Sequence, residues 1–397
     1  MSKLSHRVKN LSESQTLAMA KRSRELQSQG LDIINLSIGE PDFDTPEFVK
    51  NAAQKAIQEN FTRYTPVAGY IDLRKAIAAK FKRDNDLDYL AENIVVSTGA
   101  KQSLANVVLS LVNPGEEVLV PVPYWVSYIE IIKLAEGIPI YIPSTIKSNF
   151  KISPESLRSS ITNKTKLFVF STPCNPSGTV YNKEELKALA EVIVQFPDVY
   201  ILSDEIYEHI NFIGKHESIA QFDFIKDRVI TVNGVSKGFA MTGWRLGYIA
   251  ATKWIADACE KIQGQITSGT CSITQKAAFA AVSADPSTTF GMRDAFKKRR
   301  DMVIKLMDEI PGLVTNIPSG AFYIFPNITF YFGKSDGVST IKSSGDLCMY
   351  LLDKAQVALV SGDAFGDDNC IRFSYATSED KLREAVRRIK LALEKLK

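Results

Sequence analysis

Cysteine and histidine are scarce in this 397-residue chain, and the way they are scattered excludes two broad classes of protein. Its five cysteines (Cys174, Cys259, Cys271, Cys348, Cys370) show no Cys-x-x-Cys spacing. An odd, dispersed set in a long chain argues against a disulfide framework and for a reducing compartment. The three histidines, His6, His209 and His216, form no His-Glu-x-x-His cluster, so no metal is expected. An excess of one charge is missing too: 48 Lys and Arg stand against 45 Asp and Glu, leaving +3. That is no nucleic-acid footprint. The densest basic run, Lys297-Lys298-Arg299-Arg300, is expected on one turn of a solvated helix. No uninterrupted apolar run approaches membrane-spanning length, and Met1 to Arg7 holds no apolar signal core. A cytoplasmic protein is expected, with neither membrane nor nucleic acid as a partner.

Short apolar, β-rich runs are present and alternate with helical patterns, as in an α/β fold built on a mostly parallel sheet. Strands are predicted at 94–97, 117–120, 166–170, 199–202 and 229–232, and a helix from Lys101 to about Leu111. From about Thr289 the pattern changes. A long charged helix, the run Ala321–Phe325, a helix near Ser344–Lys354, the run Val357–Val360, the run Cys370–Tyr375 and a helix from Ser378 onward follow. This predicts a large α/β domain over 47–288 and a smaller α+β domain made of 1–46 and 289–397.

Polar residues gather just beyond the predicted strands: Gly99-Ala100, Asn175, Asp204 and Ser236-Lys237. Open α/β sheets bind ligands outside the carboxyl ends of their strands. Lys237 offers an imine-forming amine, while Ser236 and Arg245, eight residues after Lys237, offer a hydroxyl and a cation for a phosphate. Asp204 follows a strand, where a buried acid needs a partner such as a protonated ring nitrogen. Asn175 and Tyr207 can meet a ring oxygen, and Trp125 can stack on a flat ring. Gly99, Ala100 and Lys101 open a helix, whose amides and dipole suit a phosphate. Each feature also has a plain reading in isolation: a Ser-Lys turn, a helix N-cap at Asp204, an Asn-Pro turn, a core tryptophan.

Together they resemble the aspartate aminotransferase family, the class I, fold-type-I enzymes that use pyridoxal 5′-phosphate (PLP). The matching stretches are Gly-Glu-Pro-Asp-Phe (39–43), Tyr-Thr-Pro-Val-Ala-Gly (64–69), Gly-Ala-Lys-Gln (99–102), Cys-Asn-Pro-Ser-Gly (174–178), Ser-Asp-Glu-Ile-Tyr (203–207), Ser-Lys-Gly-Phe-Ala-Met-Thr-Gly-Trp-Arg-Leu-Gly (236–247) and Ile-Arg-Phe-Ser-Tyr-Ala (371–376). They fall in family order along nearly the whole chain. The resemblance implies Lys237 as the Schiff-base lysine and proton shuttle, with Asp204 on the pyridine nitrogen and Asn175 and Tyr207 on the ring oxygen. It implies a phosphate cup of Gly99, Ala100, Ser236 and Arg245, with Trp125 stacked on the ring. Arg372 would clamp the substrate α-carboxylate beside the backbone of Gly39. Tyr64 would reach the phosphate of a neighbouring subunit, which implies a homodimer with shared sites.

Within the family, the sequence looks like the bacterial branch in which a lysine matching Lys101, with residues matching Ser14 and Thr16, holds a distal carboxylate. L-Aspartate is therefore the expected amino donor and 2-oxoglutarate the acceptor, in ping-pong chemistry. Lys101 serving only the phosphate is the alternative. Some members of that branch aminate prephenate with help from a basic residue at the position of Ser12. The serine, with Lys9 as the nearest basic residue, departs from that pattern. A C–S lyase on the same fold and a non-catalytic ligand sensor are the competing classes. The first would release elimination products; the second would bind PLP without turnover.

Overall fold

In the computed structural model, which describes residues 3–13 and 15–397, the predicted strands assemble into one seven-stranded sheet. Its strands are β1 (Ile94–Ser97), β2 (Glu117–Pro121), β3 (Ile138–Ile142), β4 (Thr165–Ser171), β5 (Tyr200–Asp204), β6 (Val229–Gly234) and β7 (Gly247–Ala250). The spatial order is β1-β7-β6-β5-β4-β2-β3, and only β7 runs against its neighbours. Alternation along each strand decides which face every side chain joins. Ile94, Val96, Phe168, Phe170 and Ile201 enter a cluster with the helices Ile71–Lys80, Lys183–Ile193 and Ser272–Ser283. Val95, Leu167, Val169 and Leu202 enter another with Ala100–Leu111, Ser127–Leu134 and Lys253–Ile266. Both faces are thus covered, which is why the inner strands read as continuous apolar runs.

Two strands of this sheet were not predicted, nor was the short strand Ile34–Asn35 outside it. β3 carries Pro139 and pairs only with β2 at the sheet's edge, the one place where a residue lacking an amide hydrogen costs no ladder bond. β7 opens on Gly247 within the Arg245 motif, where glycine and turn residues mask its apolar character. The helix predicted from Lys101 begins one residue earlier, at Ala100.

The residues after Thr289 pack, together with Ile34, Leu36, Ile206, Tyr207 and Ile210, into a further cluster around the helices Phe290–Met307, Ser344–Ala355 and Glu379–Leu393. Ser378 caps the last of these, its side chain accepting the amide of Lys381. The run Val357–Val360 divides: Val357–Ala358 pairs parallel with Ile34–Asn35, whereas Val360–Ser361 pairs antiparallel with Ile371–Ser374. The basic run at 297–300 is only half solvated, against expectation. Arg300 is buried and donates to the carbonyl of Pro318 at 2.7 Å, and Arg299 pairs with Asp42 at 2.6 Å. Helical spacing turns these two inward while Lys297 and Lys298 stay exposed. Among the described residues, no helix is long and apolar enough to cross a membrane.

Candidate active site

The parallel strands end on one rim, and a cavity of about 360 Å³ opens there. Ser171 and Asp204 close β4 and β5, Ser236 and Lys237 follow β6, and Ala100 and Lys101 follow β1. Because β7 is antiparallel, Arg245 precedes it on the same rim. From the C-terminal part come Tyr323 and Arg372, and from the N-terminal part Thr16, Leu17 and Gly39. Trp125, Asn175 and Tyr207 complete the set of predicted side chains brought together.

Asp204 is 5% exposed and accepts a hydrogen bond from the Tyr128 hydroxyl at 2.8 Å and one from the Ile206 amide at 3.2 Å. No helix follows it, so it is not a helix N-cap. Burial pushes its carboxyl up to about 6, against the opposing hydrogen bond from Tyr128. Such an acid is costly to ionise until a cation meets it. Lys237 Nζ donates to the Gly39 carbonyl at 2.5 Å, and loss of water lowers its ammonium to about 8. The Tyr207 hydroxyl exchanges a 2.8 Å bond with that of Tyr323. Asn175 Oδ1 accepts from Arg372 Nη1 at 3.1 Å, leaving its amide hydrogens with no acceptor among the described residues.

Four cations line the cavity, Lys101, Lys237, Arg245 and Arg372, and among the described residues none has a carboxylate partner. Arg372 is only 2% exposed; its Nη2 donates to the Ser37 carbonyl at 2.6 Å and its Nε has no partner. A buried guanidinium without a counter-ion calls for an anion. At the other end, Gly99 holds a φ of +86° and introduces the Ala100–Leu111 helix, whose first two amides donate to nothing among the described residues. A Cβ at Gly99 would run into the Arg245 guanidinium. Arg245, itself left-handed at φ +57°, is fixed by a 2.9 Å bond from Nη1 to the Thr242 carbonyl. Lys101 Nζ sits 5.0 Å from the centre of the Trp125 ring. Burial, and then Arg245, lower its ammonium. Thr16 Oγ1 is buried with no partner among the described residues.

Of the expected residues that are described, Tyr64 and Gly99 do not line this cavity. Tyr64 is fully exposed, and Ser14 lies outside the described residues. Two important neighbours escaped the sequence reading, Tyr128 and Tyr323. Tyr128 stands three residues after Trp125, as expected for the same face of a helical turn, and that spacing was its only signal. Tyr323 lies inside an apolar run and gave none.

The donor set suits pyridoxal phosphate: free helix amides and Arg245 for the phosphate, a buried acid for the ring nitrogen, a desolvated lysine for the aldehyde. The family model for aminotransferase class I and II matches residues 31–389. A bifunctional aspartate aminotransferase and glutamate/aspartate-prephenate aminotransferase of Petunia hybrida is 48% identical over 99% of this chain and 83% of its own length. An aspartate/prephenate aminotransferase of Nitrosomonas europaea is 44% identical over 98% of both. The crystal structure of the aspartate aminotransferase from Rhizobium meliloti superposes with a TM-score of 0.97 at 40% identity, covering all of both chains. That of Thermus thermophilus with maleate gives 0.93 at 38% identity, over 99% of this chain and 100% of the other. With a match of that extent laid over a cavity of that chemistry, the chain belongs to the class I and II aminotransferases and is a PLP-dependent enzyme of that family.

Proposed function

We propose that the enzyme transfers the amino group of L-aspartate to 2-oxoglutarate. One observation carries this reading: the cavity offers one more unpaired cation than an ordinary amino acid on PLP would use. Lys237 makes the covalent link, Arg245 meets the phosphate and Arg372 the α-carboxylate. Lys101 remains, in a cavity that Thr16 also lines with its unpartnered hydroxyl. A second, distal carboxylate suits that pair. The relatives named for aspartate, and the solved relative holding maleate, a four-carbon dicarboxylate, support it.

When bound, the cofactor supplies an aldehyde for the amine and a ring that accepts the electrons of the Cα–H bond. The chain's residues do the rest. Asp204 holds the ring nitrogen protonated, and Tyr128 holds Asp204. Asn175 and Tyr207 donate to the ring oxygen. Trp125 covers the ring face. The amides of Ala100 and Lys101, with Ser236 and Arg245, anchor the phosphate where Gly99 permits close approach. Arg372 grips the α-carboxylate by its fork, with the Gly39 backbone beside it. Lys237, which would hold the cofactor covalently, has the amine placed to act as the base that moves the proton at the substrate Cα.

Replacement of Lys101 tests the distal site. With PLP saturating, Lys101→Ser should lower kcat/KM for aspartate about ten- to a hundredfold more than for alanine or phenylalanine, the worth of one charged hydrogen bond. A uniform loss across donors would instead assign Lys101 to the phosphate. Prephenate as a second acceptor is supported by the names of the relatives alone. Ser12 offers no charge, its backbone amide donating to Glu130 at 2.8 Å. The reading further includes a homodimer in which Tyr64 completes the partner's site. It also divides the chain into a large unit, 47–288, and a small one, 1–46 with 289–397. A reducing, cytoplasmic setting is supported by five unpaired thiols, four of them buried.

A further inference from the structure

Outside the cavity lining, a buried ionic cluster joins the chain near residue 80 to the segment that carries Tyr207. Lys80 closes the helix Ile71–Lys80, and a single π-turn, Phe81–Asn85, follows. The Lys80 ammonium, on a residue 2% exposed, pairs with Glu208, donates to Asn85 Oδ1 at 2.9 Å and lies 3.7 Å from Asp84 Oδ2. Asn85 Nδ2 donates to Glu208 Oε2 at 3.1 Å, and His209 Nε2 stands 3.2 Å from Glu208 Oε1. Asp84, Glu208 and His209 have ligand atoms close enough for a metal ion. The lysine already supplies the positive charge between the two carboxylates, so the cluster needs no metal. Burial opposes ionisation of Glu208, yet Lys80 and His209 hold its carboxyl well below the usual range.

The cluster leaves His209 beside a carboxylate that is itself held by Lys80 and Asn85. On the other side the imidazole lies against Gly238, the residue after Lys237. A Cβ at Gly238 would stand 2.5 Å from His209 Cδ2 and 3.0 Å from its Cβ and Cγ. The Gly238 φ is not positive, so this close approach, not backbone conformation, is what excludes a side chain. Phe239, one residue further, meets the His209 ring edge-on at 5.5 Å. The turn that follows Lys237 thus packs on His209 at Gly238, and Thr45 donates to its Ala240 carbonyl at 2.8 Å, while the lysine's own amine is held by Gly39 on a different segment.

We infer that His209, oriented by Glu208 and Lys80, is a positioning residue that sets where Lys237 stands relative to the bound substrate. This rests on the reading of Lys237 as the PLP-linked base. A proton shuttle misplaced by about an ångström loses on the order of a hundredfold in rate, whereas substrate affinity depends on groups elsewhere in the cavity. Position should therefore appear in kcat and not in KM.

The test is a double-mutant cycle at saturating PLP with His209→Ala, Gly238→Ala and the two combined. His209→Asn joins it because it keeps an amide donor for Glu208 and so protects the fold. Each variant is read by kcat, by KM for aspartate and by the pH midpoint of the cofactor's absorbance. Each single change is expected to lower kcat about ten- to a hundredfold, with KM within about threefold, and to displace the midpoint. Gly238→Ala should add less than about threefold once His209 is alanine, since the ring atoms it would strike are gone. Losses that multiply in the double variant, or a His209→Asn protein that melts like the parent and keeps its kcat and midpoint, overturn the inference. Borohydride trapping separates this from the underlying reading. A label on another lysine in the parent protein overturns the Lys237 assignment and the inference with it. A label on Lys237 throughout, with multiplying losses, overturns the inference alone.

Discussion

An ammonium stripped of water releases its proton more easily, and burial accordingly brings Lys237 to about 8 from an ordinary 10.5. Below that value most of the amine is protonated and unreactive. Attachment of PLP to the cofactor-free protein should thus accelerate about tenfold per pH unit up to pH 8 and then level off. Stopped-flow absorbance would show it; acceleration continuing beyond pH 9 would mean an unperturbed lysine. Asp204 has the opposite balance. Its folded value of about 6 exceeds the ordinary 3.8. The folded cofactor-free protein therefore binds that proton more tightly than the unfolded chain. The benefit is complete below pH 3.8 and lost as pH rises through 6, so at pH 7 the naked carboxylate costs about 3 kcal/mol. Asp204→Asn should raise the melting temperature of the cofactor-free protein at pH 7, with the gain gone at pH 4, while transamination collapses. The structure brings Lys237, Asp204 and Arg372 to one cavity; the first two were candidates from their places after strands, each with a plain reading in isolation, and Arg372 was a candidate from the resemblance alone. Tyr128 and Tyr323 were not, because a tyrosine in an apolar run looks like packing until its hydroxyl is seen to bond.

The start of the Ala100–Leu111 helix is as much a part of the site as any side chain. Gly99 permits it by holding a positive φ and leaving room for Arg245. Gly99, at φ +86° and ψ 155°, holds a conformation essentially reserved for glycine, so Gly99→Ala should destabilise the cofactor-free protein by about 1–3 kcal/mol. It should weaken PLP binding tenfold or more by displacing the arginine; titration by fluorescence would compare the two losses, and unchanged affinity would remove Gly99 from the phosphate site. Strand β7 contributes in a similar way, since a Cβ on Gly247 would run into the Ala100 amide. Neither β7 nor the edge strand β3 was legible in the sequence. Inner parallel strands announce themselves by unbroken apolar runs, whereas glycine in β7 and proline in β3 interrupt the pattern for reasons that only the neighbouring elements explain.

Across the whole molecule, Tyr64 stands fully exposed although the resemblance assigns it to a phosphate, and a second copy of the chain reconciles the two. The protein should sediment as a dimer. Tyr64→Phe should keep that state and weaken PLP binding about tenfold, the worth of one hydrogen bond to a charged group; a monomer with full cofactor affinity would end the shared-site reading. The pairing of Ile34–Asn35 with Val357–Ala358 has a bearing on synthesis as well. Ser37, whose carbonyl holds Arg372, and Gly39, whose carbonyl holds Lys237, leave the ribosome early, but their companions near the other end emerge tens of seconds later at ordinary elongation rates. The lysine is made well before the arginine that would seat a substrate beside it. A nascent chain is consequently unable to process amino acids in the crowded moment of its translation, and the catalyst switches on only when its last strand, Ile371–Ser374, slots home.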